Sequence, residues 1–163
     1  MTELMYQTDS YMREFTAQIT AVDPERRAVV LDRTAFYPGG GGQPHDTGTL
    51  EVDGVHYPVT KVTKGPEGIW HLLGGEEALP EIGSQAAGSL DWDRRYALMR
   101  THTALHILCG VVFRDDRILV TGGDMEPLKG RMDFEFETRT HDLVQVIEEA
   151  VNREVENGHD IRV

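Results

Sequence analysis

The stretch from Asp91 to Arg114 divides this chain into two classes of pattern, and that division constrains the fold more than any other feature. Between Asp93 and Phe113 there is no Pro and no Gly but Gly110, while Leu98, Leu105, Leu108, Val111 and Val112 recur at near-helical spacing. The spacing predicts one long amphipathic helix. Before it, short apolar runs alternate with period two between turn residues; after it, strand and helix patterns mix. The expected class is α+β: a small β-barrel domain over residues 1–90, then an α+β domain over residues 91–163.

The first part reads as successive hairpins. Phe15, Ala17 and Ile19 share one face of a strand, Asp23-Pro24-Glu25-Arg26 supplies turn chemistry, and Val29 and Leu31 return. Leu50 and Val52 are answered by Val55, Tyr57 and Val59 across Asp53-Gly54, a strong hairpin dipeptide. A run from Ile69 to Leu73 and another near Ser84 to Leu90 follow, with His45, His56 and His71 expected on the surface. Short strands at this spacing with no helix between them make a small barrel or sandwich.

Between the first two hairpins lies Phe36-Tyr37-Pro38-Gly39-Gly40-Gly41-Gly42-Gln43-Pro44-His45-Asp46-Thr47-Gly48. Glycine alone would fit a flexible linker, but the aromatic rings and prolines around it suit an ordered loop better. It is not a nucleotide-binding P-loop, because the Gly-Lys-Ser/Thr ending and the following helix are missing.

On the central helix, His102 and His106 stand one turn apart, so both imidazoles can reach one metal ion from a single rigid element. The same spacing also suits two half-buried histidines bonded to backbone, and spacing alone leaves both readings open. Cys109 is a poorer ligand: at about 1.5 Å rise per residue it lies roughly 10 Å along the axis from His102, so it is expected to pack as a small apolar residue.

Beyond the helix, the pattern predicts a strand over Arg117–Thr121, a break at Gly122-Gly123, and a strand over Lys129–Glu137 with Met132, Phe134 and Phe136 alternating. Thr140 is placed to cap a last helix whose buried face is Leu143, Val144, Ile147, Val151 and Val155, with Gly158 as its stop. Ile161-Arg162-Val163 begins a further alternation, which reads as an interrupted strand and the chain as C-terminally incomplete.

Composition bounds the partners. The formal net charge is −12, so a nucleic acid must be held by a local basic patch against the overall field, which argues against a general DNA or RNA binder but not against an enzyme touching one end of an RNA. No apolar run is long enough to span a membrane, and neither a DNA nor a membrane partner is expected. Met1 to Arg13 lacks the apolar core of a signal peptide, and one cysteine forms no internal disulfide, so a cytoplasmic location is expected.

Three motifs in succession carry a family name: the glycine loop from Thr34 to Gly48, the helix Arg100-Thr101-His102-Thr103-Ala104-Leu105-His106, and Gly130-Arg131-Met132-Asp133-Phe134. Together they resemble the editing domain of alanyl-tRNA synthetase and its free-standing AlaX-type trans-editing relatives. The resemblance implies hydrolysis of the ester that joins a wrong amino acid, serine or glycine, to the acceptor end of tRNA(Ala), with zinc as cofactor. It makes His102 and His106 the first two ligands. The family's other two belong to a downstream Cys-x-x-x-His motif that this sequence does not contain, and His159, in the connection after the last helix, is expected in solvent. Thr121 matches the family threonine that bonds the serine hydroxyl, or is an ordinary strand-end threonine; Gln43 and Arg131 are weaker candidates, for shaping the site and for holding carboxylates or RNA phosphate. No catalytic acid, base or nucleophile is singled out. A non-catalytic RNA- or protein-binding module, or a piece of a full alanyl-tRNA synthetase, is the alternative.

Overall fold

The computed structural model describes residues 2–136 and 141–161, which divide into two compact units, Met1–Tyr96 and Ala97–Val163. In the first unit, β1 (Glu3–Leu4) pairs in parallel with β4 (Arg33–Thr34). Six further strands, β2 (Glu14–Asp23), β3 (Ala28–Leu31), β5 (Gly48–Val52), β6 (Val55–Gly65), β7 (Gly68–Leu73) and β8 (Gln85–Leu90), close an antiparallel barrel in the order β2-β3-β7-β6-β5-β8.

The turns follow from their residues. The Asp23 carboxylate accepts the backbone N–H groups of Glu25 and Arg26 at 3.0 and 3.1 Å, closing the β2–β3 connection. Asp53 and Gly54 take φ values of 51° and 79°, the left-handed pair that a two-residue hairpin needs to match strand twist. Alternation in β2 puts Phe15, Ala17 and Ile19 inside, where they meet Leu31, Phe36, Leu50, Val59 and Leu73. Ala28, Val30 and Trp70 form a second small cluster, with the Arg26 guanidinium 5.4 Å from the Trp70 ring centre.

His71 departs from its expected surface position. It shares the inward face of Ile69 and Leu73 and is fully buried, because its polar atoms are satisfied there: Nδ1 lies 3.3 Å from the Val29 carbonyl and Nε2 2.8 Å from the Thr34 hydroxyl. The carbonyl can only accept, so Nδ1 carries the proton and Thr34 donates to Nε2. His56 is exposed as expected, and His45 is half-buried.

Helix α1 (Trp92–Asp116) opens in the first unit and continues through the second. Asp91 caps it by accepting the Arg94 N–H at 3.1 Å, and Arg117, at φ 62°, ends it by donating its N–H to the Phe113 carbonyl.

The second unit continues with β9 (Val120–Glu126), antiparallel to β10 (Lys129–Phe134), and α2 (His141–Asn157). The expected strand over Arg117–Thr121 and break at Gly122-Gly123 are corrected: both glycines lie inside β9. Their lack of side chains makes room across the ladder, since a Cβ on Gly122 would meet the Asp133 carboxylate at 3.1 Å and one on Gly123 the Met132 sulfur at 2.9 Å. In α2, Leu143, Ile147 and Val151 are partly covered and Ala150 is buried. Val144 and Val155, expected on the buried face, are 54% and 56% exposed, because the covered stripe is narrow and they stand at its margins. Thr140, Glu137 and residues 162–163 lie outside the described residues; Ile161 is exposed and in no strand.

Candidate active site

Within the second unit, α1 points two imidazoles at each other. His102 Nε2 and His106 Nε2 are 3.1 Å apart and the rings are edge to face, 4.6 Å between centres. His102 is half-buried and His106 exposed. Burial, and next the neighbouring His106, hold His102 below the usual imidazole pKa, which favours its neutral, ligand-competent form. Two nitrogens that share a tetrahedral zinc at about 2.0–2.1 Å stand about 3.3 Å apart, so the pair is pre-set to within a few tenths of an ångström. The donor set therefore fits as half of a zinc site. Among the described residues no group of three or more His, Cys, Asp or Glu side chains converges on one point. Cys109 is half-buried, and burial pushes its thiol pKa up, away from the thiolate a metal needs.

Beside the pair, Leu105 lies against Gly130 of β10, where a Cβ would meet its methyl carbons at 2.9 and 3.0 Å. The glycine of the Gly130-Arg131-Met132-Asp133-Phe134 motif thus lets the strand approach the histidine-bearing helix. Thr121 is exposed on β9 and donates its hydroxyl to the Asp133 carbonyl at 3.2 Å, leaving its oxygen able to accept. Arg131 is exposed beside Asp124 and Asp133, at 3.8 and 3.4 Å. His159 is exposed and bonded to Glu154 at 2.9 Å, and Glu154 also pairs with Arg114, so this histidine is tied to the end of α2.

Gln43 belongs to the first unit, on the glycine loop. There Gly39, Gly40, Gly41 and Gly42 all take positive φ, from 61° to 128°, and Gly40 and Gln43 exchange backbone hydrogen bonds of 3.0 and 3.1 Å. The loop is ordered by a clamp that sequence reasoning missed. Asp46 and Arg95 form a buried bidentate ion pair, Arg95 Nε to Asp46 Oδ1 measuring 2.9 Å; Arg95 also donates to the carbonyls of Ala35 at 2.7 Å and Ser10 at 3.0 Å. Asp46 in turn accepts the Tyr37 N–H at 2.6 Å. The signal available was the pairing of one acid just after the glycines with one arginine just before an apolar helical run.

The family model described as tRNA synthetases class II (A) matches residues 4–94. An alanyl-tRNA editing protein AlaX-M of Saccharolobus solfataricus is 41% identical over 152 residues, covering 92% of this chain and 63% of that protein. The AlaX-M protein of Methanosarcina acetivorans is 39% identical, covering 100% of this chain and 69% of its own length. The alanine–tRNA ligase of Hyperthermus butylicus is 41% identical over 93% of this chain, which corresponds to 16% of the ligase. The chain thus spans about two thirds of the AlaX-M relatives it matches. A barrel that carries the glycine loop, followed by a helix whose two histidines converge, in a sequence this close to those proteins, leaves one placement: the chain belongs to the AlaX-type alanyl-tRNA editing family.

Proposed function

We propose that the protein hydrolyses the aminoacyl ester of mischarged tRNA(Ala), releasing serine or glycine from the acceptor end, as a trans-editing enzyme in the cytoplasm, with residues 1–90 as barrel domain and 91–163 as editing domain. The observation that carries the reading is the convergence of His102 and His106 on α1 in a chain 39–41% identical to AlaX-M proteins. His102 and His106 would hold zinc with two further ligands, which the family resemblance assigns to a Cys-x-x-x-His motif beyond these residues. When bound, the ion supplies a Lewis acid that activates water or fixes the substrate's polar groups.

The chain's own residues supply orientation and discrimination. An ester is already activated, so positioning and stabilisation of developing oxyanion charge are the main needs. Serine differs from alanine by one hydroxyl, which an apolar pocket distinguishes poorly; a polar group that pairs with it prefers serine, since alanine leaves that group unpaired. The free acceptor capacity of the Thr121 oxygen suits that part. Gln43 is the weaker candidate for shaping the site, and Arg131 for stabilising local carboxylates or RNA phosphate.

The test is deacylation of seryl-tRNA(Ala) alongside zinc analysis of the full-length protein, for wild type, His102→Ala and His106→Ala. About one zinc per chain is expected, with metal content and rate both falling sharply in each variant. Full zinc occupancy in the double variant overturns the ligand assignment. A zinc-loaded protein that leaves both seryl and alanyl esters intact hands the case to the non-catalytic binding module.

A further inference from the structure

Outside the glycine loop and the histidine pair, the first unit carries an aromatic tier that no part of the barrel core uses. Trp92, half-buried at the start of α1, stacks on Tyr96 with ring centres 5.8 Å apart and an interplanar angle of 22°. Tyr11 meets it from the N-terminal segment at 5.8 Å, and the Arg13 guanidinium lies 4.2 Å from the Trp92 ring centre. Tyr11 is 61% exposed and Tyr96 44%, so both tyrosines are accessible from solvent. Arg13 is exposed, and among the described residues no carboxylate lies within ion-pair distance of it, so its N–H groups remain available to an anion.

We propose that Tyr11, Trp92, Tyr96 and Arg13 form a docking surface for an unpaired nucleotide of RNA, the base stacking on the exposed tyrosine rings and its phosphate facing Arg13. Bases have no preference among aromatic faces beyond flatness, and a stack of rings with one uncompensated cation meets both halves of a nucleotide. On a chain with a formal net charge of −12, such a local cation with aromatic neighbours is the form of RNA contact that the overall field permits. The inference goes beyond ester hydrolysis and rests on it only in taking RNA rather than a protein as the partner.

The test is fluorescence anisotropy of a short labelled single-stranded oligoadenylate with the full-length protein at low salt, for wild type, Tyr11→Ala/Tyr96→Ala and Arg13→Gln, with melting curves to verify the fold. The double tyrosine variant should bind about tenfold more weakly, at an unchanged melting temperature. Arg13→Gln should lower the salt slope of binding by about 0.7. Duplex RNA should compete poorly. Equal binding by wild type and the double variant, or equal competition by duplex, overturns the proposal. So does a change in sedimentation of the double variant with RNA binding intact, which would make a second copy of the chain the occupant. Seryl-tRNA(Ala) hydrolysis run in parallel separates the two readings: binding lost with the tyrosines but no hydrolysis by wild type leaves this surface standing and removes the editing function, and hydrolysis with no tyrosine effect does the reverse.

Discussion

Acidification should destabilise this protein, and His71 is the buried group that contributes to it. Burial pushes its pKa down to about 4 from the ordinary 6.5, against the opposing pull of the Val29 and Ile69 carbonyls. In the unfolded chain the ring returns to about 6.5, so between these values the unfolded state binds a proton that the folded state refuses. The contribution of His71 is therefore whole above pH 6.5, falls as pH drops through the window, and levels off below about 4. The slope reaches about 1.4 kcal/mol per pH unit, and the full loss is about 3 kcal/mol. Urea denaturation of wild type and His71→Asn at a series of pH values isolates the contribution: the variant starts lower, having lost the bonds to Thr34 and Val29, but should lack this part of the slope. Parallel pH profiles would refute the reasoning, and so would a ring titration midpoint near 6.5 by NMR in the folded protein. The same bonds hold Thr34 and, through the Phe36 N–H that Thr34 accepts at 3.1 Å, the entry to the glycine loop.

Two further outcomes are expected. Asp46→Asn leaves Arg95 buried without its counter-charge and should cost about 3 kcal/mol in denaturant unfolding; a loss below about 1 kcal/mol would mean that Arg95 finds adequate partners in Ala35 and Ser10 alone. Thr121→Val keeps the side chain's volume and removes the hydroxyl, so on the proposed reading the ratio of seryl to alanyl deacylation should fall about threefold to tenfold in single-turnover assays; an unchanged ratio removes Thr121 from the proposed substrate site.

Much of the barrel was legible because its determinants are local. Asp53-Gly54 dictates its own hairpin, and the alternation of Phe15, Ala17 and Ile19 announces an inward face. The histidine pair was legible for the same reason: one helix sets both positions. What local pattern does not contain is compensation at a distance. Gly122 and Gly123 look like a break until Asp133 and Met132 are known to lie opposite them, and His71 looks like a surface residue until Thr34 and Val29 arrive to satisfy it. The Arg95–Asp46 clamp joins residues 49 apart, and each alone resembles an ordinary exposed charge.

The closure of the barrel has a consequence for how the chain is made. Its last seam joins Glu14 through Gln18 of β2 to Gln85 through Ser89 of β8, so the loop that must be closed is nearly the whole unit. Pairings of such long sequence separation form late and slowly. On a growing chain, β2 keeps an open edge until β8 has emerged, and Asp46 stays without its guanidinium until Arg95 follows a few residues later. The final strand and the first turn of α1 therefore arrive almost together, and they complete the barrel wall and neutralise the buried carboxylate in a single episode. A ribosome-stalled chain ending before Arg95 should accordingly be protease-sensitive throughout the barrel, and one extended past Tyr96, clear of the exit tunnel, should be resistant.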